Sequence, residues 1–105
     1  MDEREFDVAA DRMLDRLEQA LESEPEGIDY EVKAGGVIEI ECGDASKVIV
    51  NKHRAAREIW IAARSGGFHF RYDGSHWLGT RDGIELMEVL SQCLSEQAQR
   101  PISLS

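Results

Sequence analysis

No run of apolar residues in this sequence approaches the roughly 18 that would suggest a membrane-spanning helix. The acidic start, with no apolar core segment and no arginine-rich tract, fits neither a secretory nor a transit signal, so a cytoplasmic protein is expected. Cysteine is scarce: Cys42 and Cys93 stand far apart and form no C-x-x-C pair, so buried free thiols are expected in place of a disulfide or a thiolate metal site. Basic residues are also in short supply, 12 against 21 acids. That balance disfavours nucleic acid and anionic membranes, and favours cations or a basic protein as partners. No glycine-rich phosphate loop is present, because Gly66-Gly67 reads as a hairpin turn with no helix after it. Ser46, Ser65 and Ser75 lack a nucleophile context, and no catalytic residue is assigned.

The chain does have charge, and in one place. Asp2, Glu3, Glu5, Asp7, Asp11, Asp15, Glu18, Glu22, Glu24, Glu26, Asp29 and Glu31 are opposed over residues 1–31 only by Arg4, Arg12 and Arg16, a balance of 3 − 12 = −9. The remaining residues hold 9 acids and 9 bases, so the whole net charge of −9 belongs to this segment. At 105 residues, 42% hydrophobic and 31% charged, the chain is expected to form a single domain spanning 1–105 with one modest core.

Residues 4–23 read as an amphipathic helix. Phe6, Ala10, Met13, Leu14, Leu17 and Leu21 recur at spacings of three and four, which makes one apolar stripe. Asp7, Asp11, Asp15, Glu18 and Glu22 follow the same spacing and fall within an arc of roughly 80°. Pro25 and Gly27 end the helix. The period then changes to two, and strands are expected at 28–33, 37–42, 46–52, 58–63, 68–72 and 76–79, joined by short turns. Short links favour an antiparallel meander. Asp82-x-x-Glu85 resembles a capping box and predicts a second helix over 83–98. Pro101 stops it, and the alternating tail Ile102-Ser103-Leu104 is expected to pack near the helices. The resulting fold is α+β: a two-layer sandwich with two helices on one face of an antiparallel sheet of about six strands, α-β6-α.

The helical acids, joined by Asp29 and Glu31 on the first strand, admit two readings. Oxygen ligands at this spacing suit a hard cation held weakly; a solvated, solubilising face is the alternative. Trp60 alternates with Ile59 and Ile61, so it lies either on an open sheet face, as a binding anchor, or in a second core layer. His53, His69 and His76 do not cluster in sequence and read as strand or surface residues.

The middle of the chain resembles the frataxin family in its bacterial form. The resemblance is carried by Gly35-Gly36-Val37, Ser46-Lys47-Val48-Ile49-Val50-Asn51, Ile59-Trp60-Ile61-Ala62, Ser65-Gly66-Gly67-Phe68-His69-Phe70 and Trp77. It extends over essentially the whole chain. It implies the same α-β6-α fold and weak binding of ferrous or ferric iron, with other divalent cations as further ligands. The implied metal site is an acidic ridge at Glu18, Glu22, Asp29 and Glu31, extended by Asp7, Asp11 and Asp15. It implies a non-enzymatic role in iron–sulfur cluster assembly, as iron donor or sensor, with a cysteine desulfurase and an iron–sulfur scaffold protein as partners. Asn51 and Trp60 correspond to the family's partner-binding sheet positions. A metal-independent acidic module that modulates the desulfurase is the alternative, and a ferroxidase a more distant one. A monomer is expected, with iron-induced oligomers as the alternative. Departures from the family pattern are His53 and Glu58 where glutamine is usual, Ala55 where proline is common, and neutral Gln19 and Ser23 within the ridge.

Overall fold

The computed structural model describes all residues, 1–105. Helix α1 runs Glu3–Glu22. Its first turn is closed by the Asp2 carboxylate, which accepts from the Glu5 amide at 2.8 Å; this satisfies one of the otherwise unpaired amides of a helix start. The predicted apolar stripe is the buried one: Phe6, Ala10, Met13, Leu14, Leu17 and Leu21 are all in the core.

Six strands follow: β1 Tyr30–Lys33, β2 Val37–Glu41, β3 Lys47–His53, β4 Glu58–Ala63, β5 Gly66–Tyr72 and β6 Trp77–Gly79. They pair antiparallel in chain order, β1-β2-β3-β4-β5-β6, as the short turns require. Period-two alternation divides the sheet into two faces. Ile38, Ile40, Val48, Val50, Ile59, Ile61 and Phe70 turn inward to the helices and are buried. A row through Lys33, Val37, Asn51, Trp60 and His69 is built from directly opposed residues on the other face.

Helix α2 spans Leu86–Ala98, three residues shorter at its start than the sequence pattern predicts. Asp82 does not cap it. Its carboxylate accepts from the Ile84 amide at 3.0 Å and closes a turn, with Gly83 at φ +73°. The Gly79 amide donates to the Ile84 carbonyl and Leu78 bridges to Glu85, so this segment is drawn along β6 before the helix begins. Glu85 then takes the cap itself, accepting from the Met87 amide at 3.1 Å. The sheet edge offered these backbone groups partners that a local pattern cannot reveal.

Beyond α2 the tail packs as expected. Ile102 and Leu104 are buried in the core cluster, and their amides each donate at 2.9 Å to a serine hydroxyl of α2, Ser95 and Ser91. Cys42 and Cys93 are free and buried. The fold is the expected α+β sandwich: two helices against one face of a six-stranded antiparallel sheet, with the other face open.

Candidate functional site

The expected site residues fall on two surfaces: the acidic flank where α1 meets the sheet edge, and the open face around Trp60.

On the flank, the carboxylates divide by their partners. Lys52 Nζ stands 3.1 Å from Asp7 Oδ1 and 3.0 Å from Asp11 Oδ1. Arg54 adds 3.1 Å to Asp7 and 3.5 Å to Glu3. The hydrogen bond from Lys52, seconded by that from Arg54, holds the Asp7 carboxyl below its usual range. Glu24 and Glu26 are both taken by Arg100, at 3.3 and 2.9 Å. Asp15, Glu18, Glu22, Asp29 and Glu31 have no ion-pair partner.

These five surround the β1 edge. Asp15 and Glu18, with Asp11 at one end, line a groove whose opposite wall includes Val32, Lys33 and Gly36. Glu22 accepts from the Tyr30 hydroxyl at 2.5 Å, and this bond is the chief reason the Tyr30 phenol is pushed up to about 12. Tyr30 and Val32 oppose the buried Ile40 and Ile38, so they face the helices. Glu31, opposite Glu39, therefore faces the open side, and Asp29 joins it in a shallow depression with Glu39, Glu41 and Lys47. The expected ridge thus straddles an edge strand, with helical acids on one side and strand acids on the other. No three His, Cys, Asp or Glu side chains converge as a metal-holding group. Such an arrangement suits a hydrated cation held through few protein oxygens, and not an enclosed coordination cage.

On the open face, Trp60 takes the exposed-side position, and the pairing surrounds it with side chains that the sequence left unconnected. His53 stacks on one side of the indole with centroids 3.8 Å apart, and His69 on the other at 4.3 Å. Asn51 is its direct cross-strand partner. Beneath the indole edge, Glu58 is only 5% exposed. It accepts from Trp60 Nε1 at 2.7 Å and Arg71 Nε at 2.8 Å, and His69 Nδ1 is 3.5 Å away. Burial pushes the Glu58 carboxyl up, but the Trp60 and Arg71 hydrogen bonds and the Arg71 charge outweigh it, so the group stays ionised below its ordinary value. The two stacked imidazoles thus cover both faces of the indole. Sequence reasoning missed this assembly around Trp60. The parity of residues 51, 53, 58, 60 and 69 put them on one face, but only the register brings the rings into contact.

The fold and these two surfaces define a class: a small α+β sandwich with an acidic edge and an aromatic open sheet face. The frataxin-like domain model matches residues 1–100. An iron–sulfur cluster assembly protein CyaY from Dechloromonas aromatica is 53% identical, covering 99% of each chain. The protein of the same name from Bordetella parapertussis is 43% identical over 99% of this chain and 98% of its own. Among solved structures, the frataxin of Psychromonas ingrahamii shares the fold, with a TM-score of 0.89 at 24% identity over 100% of this chain and 99% of that one. The trimeric frataxin of the yeast Saccharomyces cerevisiae, complexed with ferrous iron, superposes with a TM-score of 0.65 at 27% identity, covering 95% of this chain and 88% of that one. The chain belongs to the frataxin-like family.

Proposed function

We propose that this protein is a non-enzymatic iron carrier or sensor in iron–sulfur cluster assembly, which holds iron loosely as cargo along the α1–β1 edge. The observation that carries this reading is the set of five carboxylates without ion-pair partners, Asp15, Glu18, Glu22, Asp29 and Glu31, gathered around one strand. Relatives of the same length carry the assembly name, and a related fold has been complexed with ferrous iron. Crowded like charges weaken the free protein, so a cation bound there stabilises it. Few ligands and an open position mean weak binding, which suits cargo that must be released. An iron-oxidising centre would need carboxylates bridging two metals inside a protected site. The one buried carboxylate, Glu58, is committed to Trp60 and Arg71.

Anaerobic titration with ferrous iron, followed by amide line broadening, tests the reading. Broadening should concentrate on the second half of α1 and on β1, and a Glu18→Gln, Glu22→Gln double variant should bind at least several-fold more weakly. Broadening spread evenly over the molecule would refute it.

A second reading is favoured by the same five carboxylates without ion-pair partners, which would serve a basic surface equally well: the acidic edge docks a cysteine desulfurase, with Trp60 and Asn51 as further partner-binding positions, and metal is incidental. Binding of the desulfurase measured with and without a chelator separates the two. A complex that survives chelation unchanged supports metal-independent docking; one lost under chelation rejects it. In either case the association should weaken with salt.

A further inference from the structure

The first two turns of the acidic flank are already filled, by cations of the protein itself. Residues 48, 50, 52 and 54 share one parity. Val48 and Val50 are buried beneath the helices, and the same row then runs past the core edge into Lys52 and Arg54. The alternation of β3 therefore aims Lys52 at α1, and Arg54, the first residue of the turn after β3, reaches the same helix. Lys52 Nζ lies between Asp7 and Asp11, at 3.1 and 3.0 Å. Arg54 binds Asp7 through two nitrogens, Nε at 3.2 Å and Nη2 at 3.1 Å, one to each carboxylate oxygen. The Lys52 side chain is only 11% exposed. Its stem lies against Gly36, where an added Cβ would fall 2.7 Å from Lys52 Cβ. It cannot swing freely into water.

We propose that Lys52, seconded by Arg54, is a tethered counter-ion that closes the Asp7–Asp11 end of the flank to free cations and so confines loading to the Asp15–Glu18–Glu22 end. The part that concerns cargo rests on the function proposed above; the closure of Asp7 and Asp11 does not. A divalent ion arriving at Asp15 or Glu18 displaces water. One arriving at Asp7 or Asp11 must compete with an ammonium held at high effective concentration by its own chain, and must take from that part-buried ammonium one of its two carboxylate partners, which is costly. The ridge therefore has fewer usable carboxylates than its sequence indicates, and Lys52 sets the limit. Removing its charge should convert the closed end into a second cation position.

Calcium titration tests this, because Ca²⁺ is a hard, diamagnetic ligand for carboxylate oxygen, and side-chain carboxyl carbon shifts in NMR report each acid separately. In the unmodified protein the Asp15 and Glu18 resonances should move and those of Asp7 and Asp11 should stay. In Lys52→Met, which keeps the apolar stem, Asp11 should move as well, saturating over the same calcium range as Glu18, and Asp7 should follow to a smaller extent because Arg54 still holds it. Lys52→Arg should behave as the unmodified protein does. Lys47→Met, which removes the same charge from the same strand at a distance, should leave Asp7 and Asp11 still. Movement of Asp7 and Asp11 alongside Glu18 in the unmodified protein overturns the proposal, as does a Lys52→Met titration identical to it. If Glu18 never responds to cations, the loading reading fails, while Lys52→Met continues to decide the closure of Asp7 and Asp11.

Discussion

Replacing Glu58 by glutamine should destabilise the protein at neutral pH and leave it nearly unaffected in acid. Glu58 is 5% exposed and accepts from two donors, Trp60 Nε1 at 2.7 Å and Arg71 Nε at 2.8 Å. A glutamine has the same shape but a single acceptor oxygen, so its amide nitrogen must face one of the two donors. Arg71 is 70% exposed on its side chain, and its share is of the order of an exposed ion pair, roughly 0.2–1 kcal/mol. The bond from the indole to a charged acceptor is sheltered; its weakening to a neutral one costs on the order of 1 kcal/mol. Together these come to about 1–2 kcal/mol, which for a domain of this size lowers Tm by roughly 5–15 °C. The folded carboxyl lies below its ordinary 4.5 despite its burial. A depressed folded value means that the stabilisation is present above about 4.5 and is lost as pH falls through the folded value. Glutamine does not titrate. Thermal unfolding of both proteins from pH 7 into acid should therefore show a gap that is constant above about 4.5 and narrows as pH falls below it. A gap that stays constant with pH, or a variant more stable than the parent at pH 7, would show that burial outweighs the pairing at Glu58 and that the carboxylate is not what holds Trp60.

Three further outcomes follow from the core and the edge. Leu17→Ala removes a side chain with 0% exposure and should cost about 2–5 kcal/mol in urea unfolding, while calcium binding by the folded fraction is unchanged, because Leu17 and the acids lie on different sides of α1. In a Tyr72→Phe background, ultraviolet titration should find Tyr30 ionising near about 12, and Glu22→Gln should bring it back toward 10.0; a cation seated on Glu22 should act in the same direction. Burial raises both the Cys42 and Cys93 thiols, so alkylation of the native protein should be slow at both, and denaturant should release two reactive thiols. Rapid labelling of either in the native state contradicts its burial.

The differences between expectation and structure fall where long-range pairing takes over from local pattern. The α1 stripe and the six strands are periodic along the chain, and periodicity needs no knowledge of neighbours. Helix α2 begins at Leu86 and not at 83 because β6 captures the segment before it, the Gly79 amide donating to the Ile84 carbonyl and Leu78 bridging to Glu85. His53 and His69 were separate strand residues until the β3–β4–β5 register set them on either side of Trp60.

The acidic flank shows the same division. Sequence alone determined that the net charge of the chain lies within 1–31, that five helical acids share one arc, and that the fold is α-β6-α, because composition and period are local properties. Tertiary structure alone decided which of those acids are free. Lys52 is 41 residues from Asp11 and Arg54 is 47 from Asp7; no spacing rule connects them. Only the antiparallel register, the parity of β3 for Lys52 and the turn after it for Arg54 carry those two cations to α1, leaving Asp15, Glu18 and Glu22 without an ion-pair partner on the helix and Asp29 and Glu31 without one across the edge strand.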